Sequence, residues 1–141
     1  MIRKTVFVMV VLAFLLSTAQ AKQMDVVTAD GMTAGGYLYD SSGNKLHHTF
    51  QIDCDGASQG NLKADWGNNV FTLDALPQPT CINNTISGIG TGTLNGVPGA
   101  TIVFSFTDNG EPGTNDYGMI DINGIMQAYG NLEGGNYQLH N

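Results

Sequence analysis

Basic side chains are scarce in this sequence. Five lysines and arginines face twelve acids in 141 residues, and two of the five, Arg3 and Lys4, stand at the extreme N-terminus. Beyond residue 21 only Lys22, Lys45 and Lys63 remain, a balance of 3 − 12 = −9. A surface of that sign repels phosphate backbones and lacks the basic stripe that nucleic-acid binding requires. It also disfavours attraction to anionic lipid and favours a cation or a basic partner. Cysteine is equally sparse. Cys54 and Cys81 are too far apart for the C-x-x-C spacing of thiol-redox and zinc sites. No stretch of ten or more residues repeats apolar positions at helical spacing. No G-x-S-x-G nucleophile elbow occurs.

What is present begins with a leader. A basic start is followed by the apolar run Val6–Leu16 and then by Ala19-Gln20-Ala21, the small-x-small pattern that precedes signal-peptide cleavage. The run falls short of the about 20 residues that a membrane-spanning helix needs. No cysteine follows the expected cut, so no bacterial-type lipid anchor is expected. Residues 1–21 are thus read as a signal peptide. Residues 22–141 are read as one domain of 141 − 21 = 120 residues with no membrane span, secreted or periplasmic. In an exported chain the cysteine pair Cys54–Cys81 reads as a disulfide, worth roughly 3–4 kcal/mol on the chain-entropy estimate.

The rest is punctuated by glycine and asparagine every eight to twelve residues, with short β-rich runs between them. In KLHHTFQID (45–53) Leu46, His48, Phe50 and Ile52 share one face, and His47, Thr49, Gln51 and Asp53 share the other. GNLKADW (60–66) and NVFTLDAL (69–76) flank Gly67-Asn68, a hairpin signal. Pro77 and Pro79 break any strand before Cys81. TISGIGTGTL, ATIVFSFT, YGMIDI, IMQAYGNL and NYQLH complete eight or nine strands joined by hairpin-length links. The expected fold is all-β, an antiparallel sandwich or barrel of about eight strands. Gly88, Gly90 and Gly92 predict bulges or the close approach of another backbone.

The stretch TDNGEPGTNDYG (107–118) concentrates the candidate chemistry. Asp108, Asn109, Glu111, Asn115 and Asp116 carry enough side-chain oxygen to suggest calcium, which takes six to eight oxygen ligands. The EF-hand pattern is excluded, because Gly110, Pro112 and Met119 fall where ligating side chains are required. The same letters also suit turns. Asn109-Gly110 tolerates positive φ, and Glu111-Pro112-Gly113 fits a turn with proline second and glycine third. Asp108 and Asp116 could instead lock the loop by bonding neighbouring amides, or act as the carboxylate pair of a glycosidase. His47 and His48 point to opposite faces of one strand and cannot chelate one ion together. His140 could join either. Trp66, Tyr37, Tyr39, Tyr117, Tyr129 and Tyr137 could form an aromatic platform for sugars, although alternation also explains most as core or cross-strand pairs. Asn83-Asn84-Thr85 matches the glycosylation acceptor pattern.

In the C-terminal half, GTGTLNGVPGATIVFSFTDNGEPGTNDYG is followed by GNLEGGNYQLH. These ordered blocks resemble the post-COAP domain family of bacterial secreted proteins. The resemblance is carried by Gly92, Asn95, Gly96, Gly99, Asp108 to Gly113, Asp116, Gly130, Leu132, Gly134 to Asn136, Gln138 and His140. It is good from about residue 88 onward, weaker over 60–76 and loose before that. It implies an exported all-β domain, often attached to other extracellular modules, and it supplies no catalytic residues. The cysteine pair is not part of the shared pattern. The favoured expectation is therefore a non-enzymatic exported β module that binds an extracellular ligand or protein, or serves structurally. It has no cofactor beyond the calcium candidate. The alternatives are a small glycan-acting hydrolase using acidic loop residues, and an inhibitor or partner-binding domain.

Overall fold

A computed structural model describes residues 29–56 and 60–141. The leader, its cleavage point and the start of the mature chain at Lys22 lie outside the described residues. Ten strands follow one another: β1 (Gly31–Tyr39), β2 (Lys45–Asp53), β3 (Asn61–Trp66), β4 (Asn69–Ala75), β5 (Thr80–Ile82), β6 (Thr85–Leu94), β7 (Val97–Thr107), β8 (Tyr117–Ile122), β9 (Met126–Asn131) and β10 (Gly134–His140). A short 3₁₀ turn, Gly113–Asn115, lies between β7 and β8. All the strands belong to one antiparallel sheet in the order β10-β1-β2-β3-β4-β6-β7-β8-β9, with β5 also paired to β6. The sheet curls into a half-barrel. Of the two expected architectures, the barrel-like one is found, since among the described residues no second sheet faces the first.

Alternation builds the core. In β2 the buried residues are Leu46, His48, Phe50 and Ile52, and in β7 Ile102, Phe104 and Phe106 point inward. Phe50 stacks on Phe106 at 4.1 Å between centroids, and Phe106 on Phe104 at 5.0 Å. Burying a side chain of this kind contributes about 1.5–3 kcal/mol. Type I′ geometry needs positive φ at both central residues, and Asn95-Gly96 and Asn123-Gly124 have φ of 51° and 80°, and 51° and 71°. Both asparagine side chains also accept a backbone N–H from a neighbouring strand, Val70 and Thr101 respectively.

The β6 glycines fulfil both expectations. A side chain at Gly92 would run into the Phe71 ring and the Thr72 carbonyl, and one at Gly90 would lie 2.8 Å from the Ala75 carbonyl. The register shifts between Leu73 and Ala75 and again between Gly92 and Thr93.

Two segments behave as single strands bent in the middle. Residues 69–82 pair with β6 twice, first as β4 and then as β5. Pro77 and Pro79 sit in the bend between them, where no ladder N–H is needed. The prolines do interrupt the strand, yet the chain resumes pairing three residues before Asn83. So short a strand shows no alternation by which to recognise it. Residues 126–140 form the second bent strand. Met126–Asn131 pairs with β8, the chain turns at 132–133, and Gly134–His140 pairs with β1. The first half also touches the end of β1 through a bridge between Asp40 and Ala128. At the turn the Glu133 N–H donates to the Tyr37 carbonyl at 3.2 Å.

Candidate functional site

Among the described residues, no strand lies beside the edge of β10 that faces away from β1. Unpaired edge amides need acceptors, and the 107–118 loop supplies them as carboxylates. The Tyr137 N–H donates to Asp116 Oδ2 at 2.7 Å, and two residues on the Leu139 N–H donates to Asp108 Oδ2 at 2.8 Å. The other oxygen of each acid closes the loop on itself. Asp116 Oδ1 accepts from the Asn109 N–H, and Asp108 Oδ1 from the Gly110 N–H, both at 2.8 Å. Glu111 Oε1 accepts from Asn136 Nδ2 at 2.9 Å. The three acids therefore contact three positions along β10.

The asparagines brace the loop from behind. Asn109 and Asn131 each donate a side-chain N–H to the Asn115 carbonyl. Asn84 donates to the Asp108 carbonyl at 2.7 Å, which ties the loop to the β5–β6 turn. Gly113 is buried against β10, where a Cβ would collide with the Gly135 carbonyl and approach Asn136 Cα to 2.7 Å. This corrects the expected turn. The Glu111–Pro112 peptide is cis and Gly113 has no positive φ. The glycine is required for close approach to β10, and it opens the 3₁₀ turn instead of completing a proline-second, glycine-third turn.

Asp116 is fully buried. Burial raises its pKa, the amides of Tyr137 and Asn109 pull it back, and the charges of Asp108 and Glu111 push it up further. Behind it lies a buried polar pair. His48 Nε2 and the Tyr137 hydroxyl are 2.8 Å apart, and the His48 ring stacks on Phe106 at 5.7 Å. Among the described residues, His48 Nδ1 has no partner at full hydrogen-bond geometry. Burial lowers the His48 pKa to about 4; a weaker contact with the Leu46 carbonyl opposes this and the neighbouring His47 charge adds to it. Burial, with the nearby Asp116 charge, raises the Tyr137 pKa above the ordinary tyrosine range.

The five loop residues proposed from the sequence lie along one loop docked on β10, and Asp108 and Asp116 bond amides as one of the readings had it. Among the described residues, no group of three or more His, Cys, Asp or Glu is arranged to hold a metal ion. His47 and His48 do face opposite ways. His140 lies on the outer surface, with Nε2 2.9 Å from Thr33 Oγ1. Of the aromatic set, Trp66 and Tyr137 are core residues, and Tyr39, Tyr117 and Tyr129 are exposed. Asn83 is exposed in a turn at φ 53°. Cys54 and Cys81 are bonded, with Cα atoms 6.0 Å apart.

No family model, curated protein or solved structure matches this chain. The functional reading therefore rests on its own residues. Sequence reasoning missed that β10 is the partner of the acids, because the 21-position separation of Asp116 and Tyr137 hides the pairing. The one available signal was the buried alternation of Tyr137 and Leu139, which marks a strand whose other edge needs acceptors. Surface depressions at Ala29, Asp30, Asp53, Cys54 and Asp55, and over Ser87, Ile89, Val103 and Met119, are open to solvent, and neither is lined by Asp108, Glu111 or Asp116. Among the described residues, no helix is long and apolar enough to cross a membrane.

Proposed function

We propose that this chain is an exported, non-enzymatic β module that binds outside the cytoplasm or acts as a structural surface domain. The supporting observation is how the loop acids are used. Asp108 and Asp116, a carboxylate pair the sequence offered for general acid–base work, both accept backbone amides that hold β10. A catalytic carboxylate needs an oxygen within reach of substrate, whereas both oxygens of each acid are occupied by amides of the fold. The disulfide is consistent with an extracellular or periplasmic setting. The resemblance to post-COAP domains belongs to the same proposal.

The test has two parts. Intact mass of the protein recovered from periplasm or medium should correspond to a chain starting at Lys22. Incubation with soluble and insoluble glycans should release no reducing ends above a D108N/D116N control. Release that disappears in the control would favour the hydrolase reading. Calcium remains the second reading, because the charges of Asp108 and Glu111 both press on Asp116 and a cation would relieve them. A rise in melting temperature at millimolar calcium supports that reading, and the absence of heat or shift removes it.

A further inference from the structure

The chain has five tyrosines. Tyr137 is in the core, and the other four gather on one outer patch. Tyr37 and Tyr39 face outward from β1 with ring centroids 5.9 Å apart and planes at 85°. The Asp40–Ala128 bridge places the next residue pair, Tyr39 and Tyr129, opposite each other across the junction of β1 and β9. Tyr117 pairs with Asn131 and so lies one diagonal step from Tyr129. These rings are not hidden. Tyr39 and Tyr117 are 42% exposed and Tyr129 is 65% exposed, which is more than cross-strand packing requires. A bend in a strand and a glycine make room for the row, since a side chain at Gly134 would occupy the place of the Tyr37 ring.

Three charges around this row are already engaged. Asp40 accepts the N–H groups of Ser42 and Asn44 and the Asn44 side chain. Asp121 accepts from the Gly124 N–H and from Gln127 Nε2. The Lys45 ammonium sits 3.8 Å above the Tyr37 ring. A surface of rigid rings on a sheet, with phenol hydroxyls at their edges and its nearest acids and lysine engaged, complements a ligand that is neutral, flat and hydroxylated. Apolar small molecules instead favour concave pockets, and protein hot spots favour packed, desolvated ones. From this geometry we infer that the Tyr39–Tyr129–Tyr117 strip binds neutral polysaccharide, the sugar rings stacking on these tyrosines while Tyr37, half-buried under Lys45, braces Tyr39 edge-on. This rests on the reading of the chain as an exported binding module, and it names the ligand class.

The test is native affinity electrophoresis of the wild-type chain in gels containing hydroxyethyl cellulose, xylan or galactomannan, with polygalacturonate as the charged counterpart. At least one neutral polymer should retard the protein. Y39A and Y129A should each weaken that retardation about tenfold, the loss typical of a well-used aromatic contact. Y39F and Y129F, which keep the rings, should restore it, with melting temperatures unchanged throughout. The inference is overturned if none of the neutral polymers retards the protein, if polygalacturonate does so equally, or if the alanine variants migrate like wild type. It is also overturned if the strip mediates a concentration-dependent dimer that Y129A dissolves. Release of reducing ends would sink the non-enzymatic reading alone, because the strip is judged only by retardation.

Discussion

The half-barrel has two places where strand pairing gives out, and it closes them by different chemistry. Beside β5, the turn after β2 is joined by the covalent Cys54–Cys81 bond, supported by Gln78 donating to the Cys54 carbonyl at 2.9 Å. Beside β10, the gap is closed by carboxylates accepting amides that a neighbouring strand would otherwise take. The first closure acts mainly on the unfolded chain, by shortening its loops. The second acts on the folded state, by satisfying buried donors. The one is therefore sensitive to reductant and indifferent to protons, and the other the reverse.

The largest separation of the two should come from removing the disulfide. The C54S/C81S chain should lose about 3–4 kcal/mol in urea unfolding, with hydrogen exchange at Tyr137 and Leu139 still slow relative to the Cys54 turn. Acid should strain the other side. His48 has a folded pKa of about 4 against an ordinary value of 6.5. Its neutral state is therefore at no disadvantage above 6.5, and stability drains away as the pH falls from 6.5 toward 4, by roughly 3 kcal/mol. Asp116 has the opposite sign. Its pKa is raised, so its proton favours the folded state at the acid end and partly offsets the loss. In H48F the loss between pH 6.5 and 4 should vanish, leaving only the smaller opposite slope of Asp116, whatever the variant's stability at pH 7. A slope unchanged in H48F would remove His48 from the account.

D116N should cost about 2 kcal/mol at pH 7, because one oxygen facing an amide donor becomes an NH₂ and leaves that donor unmet. Exchange should quicken first at Tyr137. D108N, at the half-buried end of the loop, should cost about 1 kcal/mol and quicken Leu139. If both substitutions loosened the disulfide side equally, the two closures would not be independent.

The fold was legible where local pattern and burial coincide. The alternation in 45–53 and 100–107 names the inward residues of β2 and β7, and the Asn-Gly pairs name their turns. It was less legible where strands bend. The three residues of β5 carry no period, and β1 and β7 extend through Gly31–Ala34 and Val97–Gly99, where small or turn-like residues mask a strand. The loop acids were visible as a group, and their bonding to amides was one of the readings they allowed. Their partner was not visible, because pairing between residues 108–116 and 136–139 depends on how the whole sheet curls. His48 was placed on the correct face, but its role as a core polar residue depends on Tyr137, 89 positions away. Gly113, Gly135 and Asn136 meet in space at this same closure, beside the Asp116–Tyr137 bond.

The strand that changes neighbours at 132–133 also has a temporal consequence. Among the described residues β1 is the first strand made and β10 the last, and Thr33 and His140, which are in contact, stand 107 positions apart. Closing a loop of that length must precede any reward from the contacts it brings, and folding rates fall as such separations grow. Until β10 has been made, one edge of β1 lacks its partner and the sheet cannot complete its curl. Rigidity therefore comes late in folding, when the two ends of the described sheet meet.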